Sequence, residues 1–86
     1  MPLHLSAQNG HLQIVKWLVE HGDAPLTSNN QGYTAIHAAA LNGHLEIVKF
    51  LMHFTETPNA PSNLGKTPAD IARNQQHYEI AELLEK

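Results

Sequence analysis

Apolar residues recur at helical spacing in two stretches that are nearly copies of each other. Residues 9–18 read Asn-Gly-His-Leu-Gln-Ile-Val-Lys-Trp-Leu, and eight of these ten residues are identical 33 positions later, in residues 42–51. Gln13 and Lys16 interrupt a broad apolar stripe, which is the pattern of a helix with one buried face. A weaker third copy covers residues 75–84. A fixed period of this length predicts stacked units, each burying its apolar face on a neighbour.

Single glycines divide the units into pairs of helices. Gly10 and Gly43 are placed as left-handed C-caps, and Gln76 stands at the same position of the third copy. The Thr67-Pro68 pair is a helix start, as is Thr34. The sequence therefore predicts helices over residues 2–9, 11–21, 35–42, 45–54, 68–74 and 78–85. The last helix should turn the following side chains inward: Tyr78, Ile80, Ala81, Leu83 and Leu84.

The segments between these helix pairs are polar and rich in turn-forming residues. Residues 23–32 and 55–65 contain Pro, Thr, Ser, Asn and Gly, which favour loops. The turn of the first connector is predicted at residues 29–32, because Asn and Gly tolerate the positive φ that such turns need.

A family resemblance is carried by three short segments. Residues 34–39 (Thr-Ala-Ile-His-Ala-Ala), 67–72 (Thr-Pro-Ala-Asp-Ile-Ala) and 2–7 (Pro-Leu-His-Leu-Ser-Ala) resemble the T-P-L-H-x-A signature of ankyrin repeats, and the period of 33 agrees. The Gly-His-Leu-x-Ile-Val-Lys-x-Leu blocks resemble the second helix of that repeat. The resemblance implies an all-α ankyrin-type solenoid of stacked antiparallel helix pairs joined by β-turn or loop connectors. It divides the chain into a truncated first repeat (1–32), a second repeat (33–65) and a C-terminal capping repeat (66–86).

Some positions depart from the family pattern. The usual Gly-Ala-Asp after the second helix reads Gly-Asp-Ala in residues 22–24 and Thr-Glu-Thr in residues 55–57, so we expect altered connector geometry after Phe54. The last helix is crowded with Glu, as a terminal unit requires. Met1 takes the place of the signature threonine in the first unit. We therefore expect the chain to be a fragment or the tail of a longer array, with apolar area on its leading face.

Composition narrows the function classes. The net charge of −3, with only five Lys and Arg, gives no electrostatic footprint for nucleic acid or an anionic membrane. The absence of cysteine excludes disulfides, thiolate metal sites and a cysteine nucleophile, and fits a reducing compartment. No signal peptide or membrane-length apolar run is visible. We expect an intracellular protein, in the cytoplasm or alternatively the nucleus.

Five of the seven histidines are interpreted as structural. The resemblance implies that His37 bonds the hydroxyl of the signature threonine, Thr34, and the backbone of the neighbouring unit. His4 occupies the same signature position but lacks the threonine. Equivalent positions in the three units hold His11, His44 and His77, which should form a ladder. Zinc needs ligands about 2.0–2.1 Å from one ion, whereas packed helices lie about 8–10 Å apart, so three rungs cannot converge. We predict no metal and no cofactor.

Nothing in the sequence favours catalysis. The serines lie outside any nucleophile-elbow motif, no glycine-rich phosphate loop is present, and the carboxylates are scattered over different units without forming an acid–base pair. We therefore predict a protein that is not an enzyme.

The predicted function is binding of a protein partner. The resemblance places the binding surface on the concave groove formed by connector tips and first helices. Position by position, it implies Ser28, Asn30, Gln31, Tyr33, Leu41, Asn42, Asn63, Leu64 and Lys66. Tyr33 is the first anchor candidate because exposed Tyr is favoured at hot spots, and the two leucines come next. Scattered surface residues are the alternative interpretation of each position.

Two other hypotheses stay open. The chain can be a structural fragment that forms a homo-oligomer through its leading face. It can also be a histidine-dependent pH sensor, which a titration between about pH 5 and 8 tests.

Overall fold

A computed structural model of the chain describes residues 2–22, 24–25 and 27–85. The described residues form six helices and no strand. In chain order they are α1 (Pro2–Gln8), α2 (Leu12–Glu20), α3 (Ala35–Leu41), α4 (Leu45–Met52), α5 (Pro68–Asn74) and α6 (Tyr78–Leu84). The predicted all-α order is confirmed. The limits of α5 are as predicted. Four other helices (α1, α2, α3 and α6) begin or end one residue inside the predicted limits, and α4 stops at Met52 rather than Phe54.

Local signals account for where the helices begin and break. At the start of α5 the Asp70 N–H donates to Thr67 Oγ1 (3.0 Å) and the Thr67 N–H donates to Asp70 Oδ2 (3.3 Å). This reciprocal pair satisfies two of the N–H groups that a helix start leaves free. Between the helices of each pair the backbone enters the left-handed region, at φ 77° for Gly10 and Gly43 and φ 64° for Gln76. Each break therefore turns the chain back within three residues.

The three helix pairs stack side by side. α1, α3 and α5 form an inner layer, and α2, α4 and α6 form an outer layer. Four alanines of α3 are fully buried, and such small side chains allow neighbouring inner helices to approach closely. Ile36, Ile47 and Leu51 are among the largest fully buried side chains. The core therefore lies between the layers and between successive units.

The connectors carry equivalent turns despite their different sequences. The Asn29 N–H donates to Tyr33 O and the Gly32 N–H donates to Asn29 O, each at 3.0 Å. One period later, the Ser62 N–H donates to Lys66 O and the Gly65 N–H donates to Ser62 O, each at 2.9 Å. The predicted turn at residues 29–32 is thus confirmed, and Ser62 supports the same geometry as Asn29.

Two sequence expectations about burial are wrong. Tyr78, predicted to face inward, is 61% exposed. Its counterpart in the second unit, Leu45, lies beside α6, whereas no described helix lies beyond α6 itself. Ile14 and Trp17, which the apolar stripe of α2 predicts to be buried, are also exposed. None of the described helices combines the length and apolar character needed to span a bilayer.

Candidate partner-binding surface

Asn63 holds the tips of the two connectors together. The Asn63 main-chain N–H donates to Gln31 O (2.7 Å), and Asn63 Nδ2 donates to Asn30 O (3.1 Å). Gly32 allows this approach, since a Cβ at that position would lie 2.7 Å from Asn63 Oδ1. The contact fixes the spacing of the tips, so it presents their side chains as one surface.

Most of the predicted tip residues are accessible. Leu64 is 77% exposed, which makes it the most exposed large apolar residue of the described chain. The other exposed predicted residues are polar: Ser28, Asn30, Gln31, Asn63 and Lys66. The surface therefore combines one apolar contact with amide, hydroxyl and ammonium groups that form hydrogen bonds.

Tyr33 differs from its prediction as an exposed anchor. It is partly buried against the core, with its ring centroid 5.1 Å from that of His37. Burial raises the pKa of the Tyr33 phenol above its ordinary value. The carbonyl of Tyr33 also bonds His4 Nε2 at 2.7 Å. Part of this residue therefore serves the packing of the first unit on the second.

Two further predicted residues are also engaged in packing. Leu41, expected to be exposed, is partly buried. Asn42 is exposed, but its Nδ2 donates to Gln8 O across the unit boundary at 2.8 Å. The end of α3 thus contributes less free surface to the groove than the connector tips do.

His37 links the inner helices to the connectors. Its Nδ1 accepts from the Thr34 N–H (3.1 Å) and lies 2.9 Å from Thr34 Oγ1, so Nε2 carries the proton and donates to Lys66 O (3.1 Å). The predicted threonine and backbone partners are thus confirmed. Burial lowers the pKa of His37, the hydrogen bond to Lys66 O opposes this, and the nearby His4 adds to the lowering.

His4 repeats this role in part. Its Nε2 reaches the next connector, as the bond to Tyr33 O shows, but its buried Nδ1 has no partner among the described residues. The position equivalent to Thr34 is Met1, which lies outside the described residues.

The histidine ladder packs on the glycine breaks. His44 Nε2 bonds Gln8 O at 3.0 Å, and a Cβ on Gly10 would lie 2.6 Å from His44 Cε1. His77 packs against Gly43 in the same way, since a Cβ on Gly43 would lie 2.7 Å from His77 Cε1. Within the part of the chain that the structure describes, no three histidines or carboxylates are grouped to hold a metal ion. His44 and His77 therefore serve to pack each unit on the preceding one.

The sequence predicts no binding surface in the outer layer, but the structure has a candidate there. Cavities lie between α4 and α6, lined in part by Leu45, Lys49 and Leu83. Two changes in the third copy indicate this opening: leucine replaces the aromatic residue of the first two copies, and Glu82 replaces their lysine.

Comparison with known proteins agrees with the geometry. A family model described as ankyrin repeats, in three copies, matches residues 3–86. A comparison with curated proteins finds no significant relative. Ankyrin repeats generally mediate protein–protein interactions and are typically non-catalytic. Because the model covers nearly the whole sequence and the three helix pairs stack at its period, the chain belongs to the ankyrin repeat family.

Proposed function

We propose that this chain is a non-catalytic module that binds a protein partner through the connector tips and the adjoining inner helices. The observation that supports this most strongly is Leu64, which is highly exposed at a turn fixed by backbone hydrogen bonds. Because the backbone of the turn is already fixed, binding through Leu64 costs little further backbone entropy, and the surrounding polar groups form the rim that such contacts have.

The charges of this surface favour recognition by shape and hydrogen bonding. Lys66 is the one charged residue among the nine predicted positions, and the other exposed polar groups are amides and a hydroxyl. Electrostatic steering is therefore weak, and association should depend little on salt. The partner should present backbone or amide groups around an apolar pocket that receives Leu64.

Site-specific photocrosslinking tests this assignment. A photoreactive amino acid is placed at Leu64, at Gln31 or at Gln13, which is exposed on the outer helix α2 and serves as the control. We expect the first two sites to capture the same protein and Gln13 to capture none of it. A Leu64→Ser variant should weaken binding of that protein by about tenfold. Equal capture from Gln13, or unchanged affinity of Leu64→Ser, would contradict the assignment.

We infer self-association as a second candidate function, supported by the leading face of the first unit. Ile14 is 48% exposed there, whereas its identical counterpart Ile47, which lies between two units, is 1% exposed. Leu5 and Trp17 are also exposed, while the counterpart of Leu5, Ala38, is buried. Exposed apolar side chains on one face favour association with another chain.

Sedimentation over a concentration series tests this candidate. We expect a dimer that an Ile14→Ser, Trp17→Ser double variant converts to monomer, with the helical circular dichroism retained. Leu64→Ser is the matched control and should leave the dimer intact. A monomeric wild-type chain at every concentration would exclude self-association while leaving the connector-tip assignment unaffected.

A further inference from the structure

A continuous valley runs along the outer layer between α4 and α6. Its centre is a cavity of about 290 Å³ lined by Leu45, Lys49, Glu79, Glu82 and Leu83. A neighbouring cavity of about 320 Å³ shares Lys49 and Leu83 and adds Met52. Met52 and Leu83 in turn border a space of about 750 Å³ beside the second connector. These shared walls make the cavities one surface, which we call the outer valley.

The repeat supplies an internal comparison, because an aromatic ring stands between α2 and α4 at the position equivalent to Leu83. There the Phe50 ring packs edge-on to Phe54 with ring centroids 5.3 Å apart, and Lys16 Nζ lies 5.8 Å from the Phe50 centroid. One period later, the counterparts of Lys16 and Phe50 are Lys49 and Leu83. Leucine lacks the ring that attracts the ammonium group between α2 and α4. The outer valley therefore lacks the aromatic side chain that its counterpart contains.

Charge also changes from one valley to the next. Glu82 stands where the two earlier outer helices carry lysine, and Glu79 where they carry Gln13 and Glu46. Glu56 borders the connector end. Among the described residues, Lys49 is the one lysine or arginine in these walls, and its nearest carboxylate is Glu46 at 3.9 Å. The outer valley thus has an apolar floor with predominantly acidic walls.

We propose that the outer valley binds a basic amphipathic helix of a partner protein. A bulky apolar residue of that helix packs on Leu83 in the place that Phe50 fills in the other valley, and its Lys or Arg side chains pair with Glu79 and Glu82. The eight residues of α4 span about 12 Å, which matches roughly two turns of a helix carrying apolar residues at i, i+3, i+4 and i+7. Met52 adapts its shape to the inserted side chain. This surface is independent of the connector tips.

The first experiment uses a defined probe rather than a natural partner. The probe is a fluorescent synthetic peptide of about 14 residues with Leu and one Phe along a single helical face and Lys elsewhere. A second peptide carries Glu in place of every Lys, and a third has the same composition with the apolar face scrambled. We expect the first peptide alone to bind, with amide chemical-shift changes at Leu45, Met52 and Leu83. Its affinity should fall as salt rises.

Variants of the chain then locate the contact. Leu83→Phe fills the outer valley as Phe50 fills the first, and we expect it to lower affinity by about tenfold while the helical circular dichroism is retained. Glu79→Gln combined with Glu82→Gln should lower affinity about threefold to tenfold. Glu20→Gln removes one negative charge from α2, outside the outer valley, and should change affinity by less than about twofold.

The outcomes separate this inference from the other surfaces. Binding of the Glu peptide, shifts confined to residues 28–33 and 62–66, or full affinity in a folded Leu83→Phe chain would each overturn it. If Leu83→Phe does not fold, unchanged affinity in the double glutamine variant overturns it in the same way. If the shifts at Leu45, Met52 and Leu83 appear when the chain alone is concentrated, the outer valley binds a second copy of the chain. That result would overturn the proposal of a basic helix.

Discussion

Substitution of Gly10 by alanine tests the interlock between the first and second units. Gly10 has φ 77°, a conformation that costs a residue with a Cβ about 1–2 kcal/mol. The new Cβ would lie 2.6 Å from His44 Cε1 and 2.8 Å from Nδ1, so the imidazole must move. That movement breaks its bond to Gln8 O, which contributes about 0.5–1.5 kcal/mol net. We expect Gly10→Ala to lower the free energy of unfolding by about 1.5–3.5 kcal/mol.

A second glycine provides the control for backbone strain. Gly65 has φ 76°, and a Cβ built there meets nothing within 4 Å. Gly65→Ala should therefore cost only the strain, about 1–2 kcal/mol. Urea unfolding followed by far-ultraviolet circular dichroism gives both values. In a His44→Ala background the extra cost of Gly10→Ala should disappear, which a double-mutant cycle measures. Equal destabilisation by the two glycine substitutions, or an absent coupling with His44, would refute the interlock.

Other predictions use the same unfolding assay. Burial lowers the pKa of His37 in the folded state, so as pH falls the unfolded state takes up the proton first. The stability that neutral His37 contributes is complete above pH 6.5 and is lost as pH falls toward the folded pKa. His37→Gln should therefore flatten the dependence of the free energy of unfolding on pH. A wild-type profile without such a slope would contradict this. Ile47→Ala should cost about 2–5 kcal/mol, whereas exposed Ile14→Ala should cost under about 1 kcal/mol; equal losses would contradict the stacking. Thr67→Ala should cost about 1 kcal/mol through its lost helix cap, and an unchanged free energy of unfolding would count against that cap.

Local features of the fold were predictable because their signals lie within a few residues. Thr67 and Pro68 mark the start of α5, and the capping bonds explain why. Gly10 and Gly43 mark the breaks, since a left-handed backbone favours residues without a Cβ. The bonds of His37 followed from the family signature. Short-range chemistry and the repeat period therefore suffice for helix order and unit boundaries.

Exposure was less predictable because it depends on neighbouring units. Ile14 and Ile47 occupy identical positions in nearly identical blocks, yet only Ile47 is buried, since it alone lies between two units. Tyr33 falls outside the periodic apolar pattern but packs partly against the core, and Leu41, also outside that pattern, is partly buried. A sequence pattern gives the face of a helix, whereas the neighbouring unit determines whether that face is covered.

The candidate site divides in the same way. The exposed tip residues were predicted from the family pattern, and the hydrogen bonds of Asn63 explain why Asn30 and Gln31 lie together. The outer valley was not predicted, because Leu45 and Leu83 in its floor belong to the apolar stripes of their helices, and such stripes predict a buried core. The sequence signals of the open space in the second valley are the changes from Phe50 to Leu83 and from Lys49 to Glu82 one period later.

The contacts between units also have a direction. Asn42 and His44 both bond Gln8 O of the preceding unit, and Gly10 leaves the space that the imidazole occupies. His77 uses Gly43 in the same way, but the third break carries Gln76, at φ 64°. Gln76 has a Cβ at the position where Gly10 and Gly43 leave room for a histidine. His11, in contrast, is exposed. The second break thus combines His44 toward the first unit with Gly43 toward the third, and the third break keeps the histidine but carries Gln76 in place of the glycine.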